Sequence, residues 1–170
     1  MSDLRINISR LSEGRHEFDL EAEPSEVGLD ERFDQKVKVH AHLEKSGRQL
    51  ALRARLSSSG KFTCDRCLDQ FRKELVAQYS IVYSQEQHPS TLTEEGEQEL
   101  QIIGSDVNMI DLGEDVRQFL LLSVPVKLLC KEDCKGLCPS CGTNLNRNQC
   151  SCSANDVDPR WAALKKFSDN

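Results

Sequence analysis

Residues 37–56 read VKVHAHLEKSGRQLALRARL. Val37, Val39, Ala41 and Leu43 alternate with polar neighbours, Lys45-Ser46-Gly47-Arg48 supplies turn chemistry, and Leu50, Leu52, Ala54 and Leu56 resume the alternation. A period of two belongs to a strand, whose successive side chains point to opposite faces. The stretch therefore predicts a β-hairpin with one apolar face. Its other face displays Lys36, Lys38, His40 and His42 beside Arg53 and Arg55.

The same pattern extends outward in both directions. Leu4, Ile6 and Ile8 alternate, as do Phe18 and Leu20, and later Phe71, Leu75, Ala77, Tyr79, Ile81 and Tyr83. Residues 84–99 are polar, acidic and aperiodic, which predicts a loop. Residues 100–103 suit one short strand. Asp111 is a candidate N-cap for a helix carrying Leu112, Val116, Phe119 and Leu120, with Glu114 and Asp115 where the helix dipole favours acid and Pro125 as terminator. Asp158-Pro159 reads as N-cap and first residue of a short helix bearing Trp161, Leu164 and Phe167. The expected class is α+β: a mostly antiparallel, β-rich N-terminal half (barrel-like or sandwich), one or two helices, and a small Cys-rich C-terminal segment. The expected division is residues 1–128 and 129–170.

At 170 residues, 29 % charged and 38 % hydrophobic with mean hydropathy -0.54, the chain reads as soluble and globular. No apolar stretch approaches the ~20 residues that cross a bilayer, and no export signal is visible, so the expected compartment is the cytoplasm. The net charge of -6 is unevenly spread. Residues 74–116 contain no Lys or Arg, whereas Lys45, Arg48, Arg53, Arg55, Lys61, Arg66, Arg72 and Lys73 stand against only Asp65 and Asp69 in residues 45–73. That stretch suits polyanions, or is simply the solvated face of a sheet.

Eight cysteines in such a chain point to metal or redox chemistry rather than disulfides. They fall in four pairs: Cys64 and Cys67, Cys130 and Cys134, Cys138 and Cys141, Cys150 and Cys152. One CxxC pair is a weak signal, but four make two tetrahedral sets, the geometry of structural zinc. The segment from Cys138 to Cys152 is short and turn-rich enough to close a four-thiolate site alone, leaving Cys64 and Cys67 to meet Cys130 and Cys134 across the fold. The competing scheme joins Cys130 and Cys134 to Cys138 and Cys141; the first is preferred. Two zinc ions are expected, each closed site carrying formal charge −2.

Catalytic patterns are thin. The histidines lack HExxH spacing, and no Walker A, GxGxxG or GxSxG sequence occurs. His40 and His42 share a strand face, an arrangement more often solvated than ligating. A closed four-cysteine site has no open position for water. An enzyme is not expected, and neither is a small-molecule substrate.

The knuckle FTCDRCLDQF, the acidic linker, the run IDLGEDVRQFLLLSVPVKLLCKEDCKGLCPSCGTNLNRNQCSC and the closing DPRWAALKKF together resemble the YceD family, the large ribosomal RNA subunit accumulation proteins. The resemblance covers most of the chain and is most specific over residues 110–167. It implies a bacterial or plastid factor needed for 23S ribosomal RNA accumulation, with large-subunit RNA or a ribosomal protein as partner. The expected mechanism is binding, with Arg53, Arg55, Lys61 and Arg66 as phosphate-contact candidates and Lys36 and Lys38 behind them. Two other classes compete: a thiol oxidoreductase using Cys64 and Cys67 or Cys138 and Cys141, and a zinc-ribbon transcription adaptor. The first needs a CxxC at a helix N-terminus; the second needs RNA polymerase as partner.

Overall fold

The hydrophobic alternation is realised as a long meander. The computed structural model describes residues 4–85, 99–152 and 160. Its strands are β1 (Arg5–Asn7), β2 (Gly14–Ala22), β3 (Val37–Ser46), β4 (Gln49–Thr63), β5 (Gln70–Ser84), β6 (Glu99–Ile102) and β7 (Met109–Asp111), followed by helix α1 (Gly113–Leu122). A short 3-10 turn, Pro24–Val27, lies between β2 and β3. β3 and β4 meet through the tight turn expected at Gly47, whose φ of 57° is open to glycine without Cβ strain. β4 and β5 pair along their whole lengths, from Gln49 opposite Ser84 to Thr63 opposite Gln70.

The main sheet has the order β2-β3-β4-β5-β6, and β1 pairs with β7 in a separate two-stranded sheet. Neither a barrel nor a sandwich of two broad sheets forms among the described residues. One face of the main sheet is instead covered by α1 and the β1–β7 pair, so its apolar side chains are buried without closure. Val37, Val39, Leu43, Leu52, Leu56 and Ile81 from the sheet share one core with Leu4, Ile6, Leu112, Val116 and Leu120. Phe119 stacks on Tyr79 with ring centroids 4.7 Å apart.

Two details go beyond or differ from the local reading. β6 runs parallel to β5, a direction the short-strand reading of residues 100–103 left open; the interval between Ser84 and Glu99 gives the chain length that a parallel return requires. The helix begins one residue later than an Asp111 N-cap would place it, yet Asp111 still accepts the Gly113 N–H at 2.9 Å. The expected loop over residues 84–99 and the helix at residues 158–167 fall almost entirely outside the described residues. No described helix is long and apolar enough to cross a membrane.

Candidate metal centres and the basic face of the sheet

The β4–β5 hairpin ends in the turn at Cys64, and the chain leaving α1 returns to it. Cys64 N–H donates to the Asp69 carbonyl (2.9 Å) and Leu68 N–H to the Cys64 carbonyl (2.9 Å), closing a turn that holds Leu68 at a left-handed φ of 59°. Asp65 N–H donates to the Leu128 carbonyl (2.8 Å), and Leu128 N–H donates back to the Asp65 carboxylate (2.6 Å). This reciprocal pair docks the segment carrying Cys130 and Cys134 against the turn.

The result is one set of four thiols from Cys64, Cys67, Cys130 and Cys134, with all sulfurs within 4.8 Å of one another. Cys64 Sγ lies 3.8 Å from Cys134 Sγ, and Cys67 Sγ lies 3.7 Å from Cys130 Sγ. A tetrahedron with ~2.3 Å metal–sulfur bonds has edges of about 3.8 Å, so these spacings fit a shared ion. Cys64 and Cys67 are 0 % and 3 % exposed. Arg66 is built into this centre: its Nη1 donates to the Cys134 carbonyl at 2.8 Å, and its own carbonyl accepts from Leu137. Gly136, at φ 75°, passes so close that a Cβ there would sit 3.1 Å from the Arg66 carbonyl oxygen.

Cys138, Cys141, Cys150 and Cys152 form the second set, again within 4.8 Å of one another. Gly142 N–H donates to the Cys138 carbonyl (2.9 Å), and the Thr143 hydroxyl lies 3.2 Å from Cys141 Sγ. Cys138 is buried, whereas Cys141 and Cys152 are exposed. The two centres touch. Asn146, from the loop spanned by the second set, donates to Cys134 Sγ (3.3 Å) and accepts from Lys135 N–H (2.9 Å). Asn144 and Arg147 from the same loop both engage Asp69, at 2.9 and 3.1 Å.

Crowding splits the thiol acidities. Burial opposes ionisation of Cys64, but N–H groups of Cys130, Cys67 and Arg66 bring it down to about 6. An Asp69 N–H favours the Cys67 thiolate, yet burial and the other three sulfurs push that thiol up to about 12. In the second set the Thr143 hydroxyl and N–H bring Cys141 down to about 6, and Cys141 pushes Cys152 up to about 12. Four thiols this close hold their protons jointly until an ion replaces them.

The outer face of the sheet presents the expected basic candidates in register. His42 lies opposite Arg53, and His40 opposite Arg55, with Lys38 on the same strand face. On the far side of β3, Glu17, Asp19 and Glu21 of β2 stand opposite His42, His40 and Lys38. Lys36 pairs with Glu21 and Glu23 (3.7 and 3.9 Å), and Lys61 with Asp34 (3.5 Å), which Arg72 shares. Lys38, Arg53 and Arg55 have no ion pair among the described residues. The acidic column on β2 follows from the period of two, but its role as a neutralising border emerges only once strand order is known.

A family model described as "Large ribosomal RNA subunit accumulation protein YceD" matches residues 52–168. The chloroplastic "Large ribosomal RNA subunit accumulation protein YCED homolog 1" of Arabidopsis thaliana is 23 % identical over 92 % of this chain and 59 % of its own length. An uncharacterised protein of Mycobacterium tuberculosis is 30 % identical over 59 % of this chain and 47 % of its own. The chain thus spans about half the length of these relatives. No solved structure matches it.

Proposed function

Because the chain belongs to the YceD family of large ribosomal RNA subunit accumulation proteins, we propose that it is a non-catalytic cytoplasmic factor that supports 23S ribosomal RNA accumulation by binding large-subunit RNA. In this reading the two thiol sets each hold a structural zinc ion, the sulfurs filling all four positions and leaving none for substrate or water. The ions fix the turn at the end of the β4–β5 hairpin and tie the Cys-rich segment to it.

The observation that carries the reading is the sheet face on which Arg53, Arg55 and Lys38 stand without carboxylate partners among the described residues. Guanidinium groups match phosphate oxygens in a fork, and such contacts position a protein on RNA without reading sequence. Lys36 and Lys61 can join by exchanging a surface carboxylate for a phosphate, since exposed ion pairs are worth little. Arg66 contributes chiefly by holding the Cys134 segment. Thiol exchange is the weaker reading, because Cys64 and Cys67 lie buried between antiparallel strands rather than at a helix N-terminus.

Filter binding of 23S ribosomal RNA fragments over a salt series tests this. Log affinity should fall linearly with log salt, and Arg53→Ala with Arg55→Ala should flatten the slope by roughly 1.4–1.8, the share of two phosphate contacts. Absence of measurable affinity, or affinity indifferent to salt, contradicts direct RNA binding. Co-purification with RNA polymerase instead of the large subunit would favour an adaptor role. Turnover in an insulin-reduction assay would favour the oxidoreductase.

A further inference from the structure

The outer sheet face holds a second kind of ligand set, away from the cysteines. Strand alternation puts His40 and His42 side by side on β3, their rings meeting edge to face with centroids 4.6 Å apart. The β2–β3 register places Glu17 opposite His42, with Glu17 Oε1 3.3 Å from His42 Nδ1. One nitrogen from each imidazole and one Glu17 oxygen lie within 4.8 Å of one another. Asp19, opposite His40, places Oδ1 2.5 Å from His40 Nδ1.

We propose that Glu17, His40 and His42 form a third metal site, selective for a borderline divalent transition ion such as zinc or cobalt, with Asp19 as the residue that positions His40. Two imidazoles and a carboxylate are the donors such ions take, and three protein ligands leave coordination open to solvent. Asp19 supplies the partner that ligating histidines usually have: accepting the Nδ1 proton, it fixes the tautomer and leaves the Nε2 lone pair for the ion. Tetrahedral bonds of ~2.0–2.1 Å to nitrogen and oxygen need ligand separations of about 3.4 Å; Glu17 and His42 already stand 3.3 Å apart, within a set spanning no more than 4.8 Å. The adjustment falls on side chains that are 44 % (His40), 52 % (His42) and 69 % (Glu17) exposed, so rotamer changes can make it without disturbing the core. Arg53 and Arg55 line the same shallow groove, of about 500 Å³, as the two histidines. Their charge weakens cation binding, so this ion is held less tightly than those at the thiol sets.

Cobalt(II) titration of the full chain, purified with zinc at its thiols, reads the site directly. Zinc outranks cobalt at thiolates, so added cobalt should enter only the histidine site. The expected result is one equivalent bound with visible d–d absorption and no sulfur-to-cobalt band, lost in the His40→Ala/His42→Ala double variant. Glu17→Gln and Asp19→Asn should each weaken binding ten-fold or more. All four positions lie on the exposed face, so the melting temperature should not move. The spectrum of the parent minus that of the double variant isolates this site even if the thiol sets hold no zinc, and no RNA is involved. A null difference spectrum at millimolar cobalt, or full binding retained by the double variant, overturns the proposal.

Discussion

Cys64, buried, and Cys141, exposed, belong to different thiol sets and differ in what each would hold together. An ion shared by Cys64, Cys67, Cys130 and Cys134 would join the β4–β5 turn to the chain after α1, closing a long loop that carries β5, β6, β7 and α1. Cys64→Ser should therefore release one zinc and lower the melting temperature of the whole fold. Cys141→Ser should also release one zinc. Sequence spacing alone makes the second set a self-contained appendage whose loss spares the core. The structure qualifies that independence, because Asn146, Asn144 and Arg147 of the second loop reach Cys134 and Asp69. Melting followed by circular dichroism should show a smaller but measurable loss for Cys141→Ser. Asn146→Ala isolates the link: removing one hydrogen bond to a ligating sulfur should weaken the first zinc by about 10–100-fold in a chelator competition. If Asn146→Ala leaves that affinity unchanged, the two centres act separately.

At the level of elements, α1 is the lid of the sheet rather than an independent helix, and only its inward stripe matters. Leu120 is fully buried, so Leu120→Ala should cost about 2–5 kcal/mol in urea unfolding, whereas Leu122, 78 % exposed, should tolerate alanine within about 0.5 kcal/mol. Equal losses from both would mean the helix packs on another face. The strands were legible before the structure because one side of the meander is buried, and burial forces the period of two; β3, β4 and β5 fall where Val37, Leu50 and Phe71 begin their alternations. β6 was legible as a strand but not in its direction, which depends on the path of the intervening chain rather than on any local residue. The cysteine sets were legible as pairs, since CxxC spacing is local. Their grouping into fours was legible only as the preferred of two schemes, from the short loop between Cys138 and Cys152; the contact that brings the first four together, Leu128 docked on Asp65, is encoded in no spacing. Histidines 40 and 42 could be placed on one face from sequence, while Glu17 and Asp19 joined them only through the β2–β3 register.

At the scale of the whole molecule, ions at the two thiol sets would be part of the fold. Binding requires thiolates, and thiols such as Cys67 and Cys152 are held up at about 12 when no ion is bound. Loading must then expel protons, so the metal-bound state carries fewer of them. Apparent zinc affinity should rise with pH and fall toward acid, with proton release visible as a dependence of binding enthalpy on buffer. An enthalpy indifferent to buffer would contradict thiolate ligation. Zinc bound at structural sites contributes folding energy, of the order of 10–16 kcal/mol in small zinc domains, so strong chelation should loosen the Cys-rich segment and then the β4–β5 turn. The most direct test is native mass spectrometry of the intact chain, purified without added metal and exhaustively dialysed. Two zinc ions per chain are expected, with one lost in Cys64→Ser and the other in Cys141→Ser. A chain retaining fewer than two ions, one carrying iron with visible absorption, or a single substitution that empties both sites would contradict this.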